Sequence, residues 1–283
     1  MDSKISLQEA KEYVAFLLEK EYGKAEAGSV AKIAIEEFTG QPVIKPDLFL
    51  PLDKLGPFEQ LCARLRKQEP VQYILGKADF YGLKFNVNNS VLIPRPETEE
   101  LVVLIRDTIK KAGLENGTLL DIGTGTGCIP ITLQKELPNW EMEAWDVSAD
   151  ALEVAIANNK ELGTKVDFKK ADILGNTLPE GSWDVIVSNP PYIPYSEKKL
   201  MPKRVLKHEP ELALFVKDDN PLQFYAAITA FAKERLKEKG WLFFECNEFN
   251  AEKVLKLVED AGFKNGLLHK DMLDKNRMVS AHK

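Results

Sequence analysis

Residues 118–127 read Thr-Leu-Leu-Asp-Ile-Gly-Thr-Gly-Thr-Gly, a short apolar run that ends in a turn with three glycines. Glycine lets the backbone turn tightly and lets a ligand come close to the peptide groups. The turn fits the pattern D-x-G-x-G-x-G, which begins at Asp121. The dinucleotide pattern G-x-G-x-x-G requires glycine at position 128, which is Cys128, and a P-loop requires a Gly-Lys-Ser/Thr sequence that does not follow. We therefore predict a different kind of nucleoside-binding turn. Its ligand-contacting residues are predicted to be Asp121, Gly123, Thr124, Gly125, Thr126 and Gly127.

After Gly117, short apolar runs alternate with amphipathic stretches. We predict strands at 118–122, 140–146, 166–169, 184–188 and 240–245. Helices at about 221–239 and 250–261 separate the later strands. Alternation of this kind is typical of an α/β protein whose mainly parallel sheet is covered by helices on both faces. Two final runs, at 267–269 and 278–282, predict an antiparallel edge.

Two further carboxylates follow the ends of predicted strands. Asp146 lies 19 residues after Gly127, where an acidic residue can accept hydrogen bonds from both hydroxyls of an adenosine ribose. Asp172 ends the third strand region, and the backbone N–H and apolar side chain of Ile173 suit an adenine ring. Either carboxylate alone would more often be a turn former. Because ligands bind at the carboxyl ends of parallel strands, Asp121, Asp146 and Asp172 together predict one nucleoside site.

The apolar run at 184–188 leads directly into Asn189-Pro190-Pro191-Tyr192. Two prolines fix the backbone and donate no hydrogen bond. The Asn189 side-chain oxygen and the Pro190 carbonyl can therefore accept from one planar NH₂ group, and Tyr192 can stack on it. The alternative is a proline-rich turn without a further role. We predict that Asn189, Pro190 and Tyr192 are catalytic and that Pro191 completes the substrate site.

The first quarter of the chain has a different character. Ser6 and Glu9 form a capping box before an amphipathic helix, and later apolar stripes predict a small helical bundle. Residues 80–93 favour strands, and Asn88-Asn89 between two such runs predicts the turn of a hairpin. We therefore predict a helical domain at 1–75, a β-hairpin linker at 76–95 and a catalytic domain at 96–283.

Composition restricts the class of function. The 283 residues include 38 basic and 44 acidic side chains, a net charge of −6, whereas proteins that bind nucleic-acid phosphates are usually basic. No apolar run approaches the roughly 20 residues that cross a bilayer, and the N-terminus lacks a signal-peptide core. Three scattered cysteines and three histidines argue against a disulfide framework or a metal site and fit a reducing compartment. We expect a cytoplasmic protein with no metal, no membrane contact and no direct nucleic-acid contact.

The loop that begins at Asp121 and the tetrad at 189–192 together resemble S-adenosylmethionine-dependent methyltransferases that modify planar amino groups. These include adenine-N6 DNA methyltransferases and protein glutamine-N5 methyltransferases. The segments Glu-Pro-Val-Gln-Tyr-Ile-Leu-Gly at 69–76 and Val-Leu-Ile-Pro-Arg-Pro-Glu-Thr-Glu at 91–99 closely resemble the HemK-like peptide chain release factor glutamine methyltransferases. The resemblance covers essentially the whole chain. It implies a Rossmann-like methyltransferase sheet with an antiparallel edge hairpin, preceded by a small helical bundle and a β-hairpin linker.

The resemblance also implies a reaction. A methyl group would pass from S-adenosyl-L-methionine to the side-chain amide N5 of the glutamine in the Gly-Gly-Gln motif of a release factor, leaving S-adenosyl-L-homocysteine. The helical domain would bind the release factor. A basic run at 198–208 is either a solvated loop or a lid that contacts this partner. The cofactor would be held by the loop at 121–127 together with Asp146, Asp172, Ile173 and Asn189.

The sequence departs from the family pattern in two loops. Asn247 and Asn250 stand where most members have glycine and glutamine, and 216–220 replaces a glycine-rich turn. Three alternatives stay open. One is a glutamine methyltransferase of a ribosomal protein; the second is an adenine-N6 DNA methyltransferase, which would normally carry a target-recognition region and a basic face. The third is a non-enzymatic adaptor, which the intact Asp121, Asp146 and Asn189 disfavour.

Overall fold

The computed structural model describes residues 4–43, 45 and 47–283. The chain divides into two units. Met1–Lys77 and Pro202–His208 form the first, and Ala78–Met201 and Glu209–Lys283 form the second. The division into a helical domain, a linker and a catalytic domain concerns independent folding and stays a prediction.

The described residues form the following elements. The helices, in chain order, are α1 (Leu7–Tyr22), α2 (Lys24–Thr39), α3 (Leu55–Arg66), α4 (Val71–Leu75), α5 (Pro96–Lys111), α6 (Cys128–Glu136), α7 (Ala149–Leu162), α8 (Lys203–His208), α9 (Glu211–Leu214), α10 (Gln223–Arg235) and α11 (Ala251–Asp260). The strands are β1 (Lys77–Phe80), β2 (Leu83–Asn86), β3 (Gly117–Ile122), β4 (Trp140–Asp146), β5 (Asp167–Lys170), β6 (Trp183–Ser188), β7 (Ile193–Pro194), β8 (Phe215–Val216), β9 (Leu236–Glu245), β10 (Lys264–Lys270) and β11 (Asn276–His282). Short 3₁₀ helices span Leu52–Lys54 and Tyr195–Leu200.

The first unit is built from amphipathic helices. At the start of α1, the Glu9 backbone N–H donates to the Ser6 hydroxyl at 3.1 Å, and the Ser6 N–H donates to the Glu9 carboxylate at 2.8 Å. The predicted capping box is therefore confirmed. Val14 and Leu18 of α1 share a buried cluster with Leu61 of α3, and removal of such apolar surface from water stabilises the bundle.

The hairpin between β1 and β2 turns at Tyr81-Gly82. Both turn residues have left-handed backbone, with φ of 52° and 70°, as a two-residue type I′ turn requires. The prediction of a turn at Asn88-Asn89 is therefore wrong. Asn88 forms an Asx turn instead, because its side-chain oxygen accepts from the Ser90 N–H at 2.9 Å.

The second unit contains a seven-stranded sheet in the order β10-β11-β9-β6-β3-β4-β5. Strands β5, β4, β3, β6 and β9 pair in parallel, whereas β11 runs antiparallel to β9 and β10 antiparallel to β11. This confirms the predicted α/β class and the antiparallel edge. The turns that follow β3, β4 and β6 lie at one edge of the sheet, where open α/β sheets bind their ligands.

Strand β9 begins at Leu236, so the prediction of a helix through 236–239 is wrong. Leu236 is buried and pairs with Trp183 of β6. A Cβ on Gly240 would lie 3.0 Å from the Asp184 carbonyl, so the strand also needs a glycine there for close approach to its neighbour. Pairing with a strand more than 50 residues away overrides the local helical pattern.

Helices cover both faces of the sheet, as predicted. Leu101 and Ile105 of α5 belong to a buried cluster on one face, and Tyr225 of α10 and Val254 of α11 belong to a second cluster. Trp145, next to the end of β4, belongs to the second cluster. The ends of the strands are thereby supported by packed side chains.

Three general properties bear on function. In the described part of the chain, no helix has the length and apolar character that a bilayer span needs. Over the same residues, no group of three or more His, Cys, Asp or Glu side chains comes together as a metal site would require. Cys62, Cys128 and Cys246 are buried free thiols.

Candidate active site

The glycine turn is tied to the neighbouring strand β4. The backbone N–H groups of Gly123 and Thr124 donate to the Trp145 carbonyl at 2.8 and 2.9 Å. Gly123 and Gly125 have φ of 80° and 55°, a left-handed conformation that other residues rarely adopt. A Cβ at either position would meet no atom within 4 Å. The turn therefore presents peptide groups toward open space, which suits a ligand.

Gly127 lies against packed side chains, and its predicted contact with a ligand stays a prediction. A Cβ there would lie 3.0 Å from Ile131 Cδ1 and 3.3 Å from the Ala155 Cβ. The adjacent Thr126 carbonyl accepts from the side-chain amide of Asn158 at 3.0 Å. Asn158 is fully buried on α7, and the sequence pattern gave no reason to select it. The last part of the turn is thus fixed by the protein itself.

Asp121 lies fully buried at the start of the turn. Neither of its carboxylate oxygens has a hydrogen-bond partner among the described residues. Burial raises the pKa of Asp121 from 3.8 to about 7; the adjacent Thr124 hydroxyl opposes the rise in part, and the nearby Asp146 charge adds to it. A buried carboxylate without a partner costs stability unless a cation or donor approaches it. The site therefore fits a ligand that carries a positive charge.

Without such a ligand, the protein is expected to lose stability as the pH rises from about 4 to about 7. A carboxyl group whose pKa is raised by folding binds its proton more tightly in the folded state. The cost of ionising Asp121 is absent below its ordinary pKa of 3.8 and complete above about 7. Asp121→Asn should reduce the pH slope of the melting temperature, measured in thermal melts between about pH 5 and 8.

The matched control for this change is Asp150→Asn, on the exposed first turn of α7. It should leave the pH slope of the melting temperature as it is in the unmodified protein. An unchanged slope in Asp121→Asn would show that Asp121 is not the strained carboxylate described above. Glu245, described below, contributes in the same direction, so Asp121→Asn should remove part of the slope.

Asp146 holds the middle of the glycine turn. One carboxylate oxygen accepts from the Gly125 N–H at 2.9 Å, and the other accepts from the Ser148 N–H at 2.9 Å. Burial raises the pKa of Asp146, while these backbone hydrogen bonds oppose the rise. Each oxygen keeps a lone pair for a further donor. Asp146 is thus fixed beside the turn, at the position predicted from the sequence.

Asp172 and Ile173 follow β5 beside this carboxylate. The Ala171 N–H donates to the Asp146 backbone carbonyl at 3.0 Å, which brings the two strand ends together. The Asp172 side chain is exposed and accepts from the Leu174 N–H at 2.9 Å, as a turn former does. Ile173 packs against the second buried cluster. The structure thus places Asp172 near Asp146, with its carboxylate already engaged in a turn.

The tetrad at 189–192 follows β6 directly. The Ser188 hydroxyl donates to the Ile122 carbonyl at 2.6 Å, which ties the tetrad to the strand that carries the glycine turn. In the described residues, the Pro190 carbonyl accepts no hydrogen bond from the protein. Tyr192 packs against the second buried cluster, and burial raises the pKa of its hydroxyl above the ordinary value. A protonated Tyr192 suits a wall of the site better than a base.

Two residues that the sequence pattern did not select contact Asn189. Its side-chain Nδ2 donates to the Thr98 hydroxyl at 3.2 Å, and the Thr98 hydroxyl donates to the Glu245 carboxylate at 2.7 Å. Burial raises the pKa of Glu245 to about 7, while the Thr98 hydroxyl, the Arg277 charge and a hydrogen bond from the Asn189 side chain lower it in part. Glu245 ends β9, so the rule applied to the ends of the earlier strands would also have selected it.

An ion pair fixes the end of the segment that follows the tetrad. Arg95 donates to both oxygens of the Glu209 carboxylate at 2.7 Å, and the Ile93 N–H donates to the same group at 3.3 Å. The Glu209 side chain is 2% exposed. Loss of one partner from such a pair is strongly destabilising. The pair therefore anchors residue 209 beside the beginning of α5.

The basic run at 198–208 has protein partners. Lys198 pairs with Glu211. Within the first unit, Arg204 lies 3.5 Å from the Glu26 carboxylate and 4.2 Å from the centre of the Tyr22 ring. These contacts give part of the run a structural role, and they leave both interpretations of its function open.

Comparisons with known proteins identify the family of the chain. Residues 102–211 match the family model of the methyltransferase small domain. The chain is 43% identical to the release factor glutamine methyltransferase of Bacteroides thetaiotaomicron over 238 residues, which is 84% of each chain. It is 44% identical to the protein of the same name in Flavobacterium psychrophilum over 241 residues, which is 85% of each chain.

A solved structure shares the fold. The crystal structure of a methyltransferase from Pyrococcus furiosus superposes with a TM-score of 0.52 at 17% identity, covering 78% of this chain and 96% of that one. Because the relatives match at more than 40% identity over most of both chains, this protein belongs to the release factor glutamine methyltransferase family, a family of S-adenosylmethionine-dependent enzymes.

Proposed function

We propose that this protein transfers a methyl group from S-adenosylmethionine to the side-chain N5 of the glutamine in the Gly-Gly-Gln motif of a peptide chain release factor. One observation carries the proposal. Two hydrogen-bond acceptors, the Asn189 side-chain oxygen and the Pro190 carbonyl, stand at the same sheet edge as the glycine turn. The names of the two relatives support the choice of substrate.

S-adenosylmethionine fits the residues around the turn at 121–127. When bound, it supplies a methyl group on a positively charged sulfur, which leaves as a neutral thioether. Asp121 offers a buried, unpaired carboxylate to the positive charge of such a ligand. Asp146 would accept from the ribose hydroxyls, and Asp172 and Ile173 would border the adenine.

The tetrad would prepare the glutamine side chain. An amide nitrogen is a poor nucleophile because its lone pair is delocalised into the carbonyl group. Acceptors on both of its N–H groups, from Asn189 and Pro190, would orient the nitrogen and stabilise the positive charge that develops on it. Tyr192 would stack on the planar amide. Fixed orientation of this kind provides a large part of many enzymatic rate enhancements.

The nitrogen must give up one proton when it gains the methyl group. The hydroxyl of Tyr192 stays protonated because burial raises its pKa, so it does not accept that proton. The Pro190 carbonyl and the Asn189 amide are not bases at neutral pH. We propose that water accepts the proton after transfer.

The proposed substrate also implies a binding partner and a cellular compartment for this protein. The helical first unit would bind the body of the release factor, and the protein would act in the cytoplasm, where thiols such as Cys62 and Cys128 stay reduced. No metal, membrane or nucleic acid takes part in the proposed reaction.

A labelling experiment with several acceptors tests the function. The protein is incubated with methyl-labelled S-adenosylmethionine and, in separate reactions, a release factor, ribosomal proteins and DNA. The proposal predicts label on the release factor alone. Label on a ribosomal protein or on DNA would replace the proposed substrate, and cofactor binding without any label would favour a non-enzymatic adaptor.

A further inference from the structure

A line of three hydrogen-bonded side chains ends at Asn189. Thr98 comes from the first turn of α5, and Glu245 comes from the end of β9; both are buried. We propose that Thr98 and Glu245 are positioning residues that fix the orientation of the Asn189 amide, so that its oxygen faces the substrate. The inference rests on the proposed function, because it gives these two residues a part in recognising the glutamine amide.

An asparagine side chain has two chemically different ends. One end is an oxygen that only accepts, and the other is an NH₂ group that only donates. A rotation by 180° about the last side-chain bond exchanges them at little intrinsic cost. Only one orientation of Asn189 can accept from a glutamine NH₂ group. Some neighbour must therefore select it.

Thr98 can make that selection because a hydroxyl has a single proton. The short contact of 2.7 Å to Glu245 commits this proton to the carboxylate. The Thr98 oxygen is then left with acceptor capacity alone, and it accepts from Asn189 Nδ2 at 3.2 Å. The reversed amide would set its oxygen against the Thr98 oxygen, with no proton between them. Thr98 and Glu245 together thus favour the orientation of the Asn189 amide in which its oxygen faces the substrate.

The ionised state of Glu245 is what makes Thr98 donate to the carboxylate and accept from Asn189. A carboxylate only accepts hydrogen bonds, whereas a protonated carboxyl group can donate one to Thr98. The Thr98 proton would then be free to bond the Asn189 oxygen, and the reversed amide would become acceptable. The charged groups that influence Glu245 are Arg277 of β11 and Glu97 of α5, and the Asn189 side chain also hydrogen-bonds its carboxylate. The titratable neighbours are Tyr192, Tyr225, Cys246 and Cys128 of α6. Arg277 favours the charged carboxylate, and Glu97 opposes it.

Burial makes a purely structural role for Glu245 costly. Its side chain is buried in the second unit, and an apolar residue of similar size would avoid the loss of hydration. Arg277 offsets part of this cost through its charge, although its hydrogen bonds go to Asp271 at 3.2 Å and to the Cys246 carbonyl at 3.5 Å. A buried carboxylate next to a substrate-binding side chain is the arrangement expected of a functional group.

Thr98→Val tests the proposal because valine keeps the shape of threonine and lacks the hydroxyl. We expect kcat for release factor methylation to fall about tenfold at saturating cofactor, as for the loss of one oriented hydrogen bond, with the cofactor Kd unchanged. Thr98→Ser restores the hydroxyl and should return kcat to within about threefold of the unmodified enzyme. Thr229→Val is the matched control, because Thr229 is a buried threonine of α10 whose hydroxyl has no partner within the described residues. Equal kcat values for Thr98→Val and Thr229→Val would overturn the inference.

The pH dependence separates positioning from packing. In the unmodified enzyme, kcat at saturating cofactor should fall as the pH drops through about 7, where Glu245 gains a proton. Glu245→Gln can accept from or donate to Thr98 at any pH. It should therefore have a lower kcat at every pH, without the fall in kcat below about pH 7. The same fall in kcat below about pH 7 in Glu245→Gln would contradict the positioning role of Glu245.

A measurement without turnover distinguishes failure of this inference from failure of the proposed function. The side-chain amide protons of Asn189 should exchange with water more slowly than those of the exposed Asn176, as followed by ¹H–¹⁵N NMR. Thr98→Val should speed the exchange of Asn189. Exchange at the rate of Asn176 in the unmodified protein would overturn the inference, whatever substrate the enzyme uses. Absence of methyl transfer, with slow exchange at Asn189, would instead count against the proposed function alone.

Discussion

Asn189→Ala is expected to lower kcat for methyl transfer by about 10²–10³-fold, in line with the loss of one preorganised polar group from an active site. The change removes the acceptor that orients the glutamine nitrogen, and it leaves the glycine turn and Asp146 in place. Binding of S-adenosylmethionine should stay within about threefold of that of the unmodified enzyme. Single-turnover kinetics give the chemical step, and calorimetry gives the cofactor affinity.

Asn247→Ala is the control for this change. Asn247 lies in the loop after β9, and its side-chain oxygen accepts from the Phe249 N–H at 2.9 Å, within its own loop. Loss of that contact should leave kcat within about threefold of that of the unmodified enzyme. Full activity in Asn189→Ala would contradict the catalytic role assigned to the tetrad. Loss of cofactor binding in that variant would mean that Asn189 binds the cofactor rather than the substrate.

Asp146→Ala is expected to weaken cofactor binding about 100-fold, because two hydrogen bonds to a charged group are each worth about 1.5 kcal/mol or more. The change removes the proposed ribose acceptor and frees the Gly125 N–H, which Asp146 now holds at 2.9 Å. The KM for the cofactor should rise by a similar factor, and kcat at saturating cofactor should change much less. Equilibrium binding of S-adenosylhomocysteine provides the measurement.

Asp150→Ala is the matched control for Asp146→Ala. Asp150 lies four residues further on, exposed in the first turn of α7. Its loss should leave the cofactor Kd unchanged within error. Equal affinities for Asp146→Ala and the unmodified protein would mean that Asp146 only supports the turn and does not touch the ribose.

The features that the sequence predicted correctly are local ones. The glycine turn, the capping box at Ser6 and the strands on either side of Asp146 each depend on residues a few positions apart. The parallel sheet follows from the alternation of such elements, since few topologies accommodate it. The positions of Asp146 and Asn189 at one sheet edge then follow from the rule that strand ends share an edge.

The features that the sequence did not predict depend on partners far along the chain. Thr98 and Glu245 are 147 residues apart and meet only because α5 packs beside β9. Arg95 and Glu209 are likewise separated by 114 residues. The helix predicted through 236–239 failed for the same reason, because its pairing with β6 is absent from the local pattern. No periodicity in the sequence records contacts of this kind.

The most direct test of the account is to locate the methyl group on the product. A release factor is incubated with the enzyme and S-adenosylmethionine, and its fragments are sequenced by tandem mass spectrometry. We expect one added methyl group on the side-chain nitrogen of the glutamine in the Gly-Gly-Gln motif, and none in a factor that carries alanine at that position. A methyl group on any other residue, or an alanine variant modified as well as the unmodified factor, would contradict it.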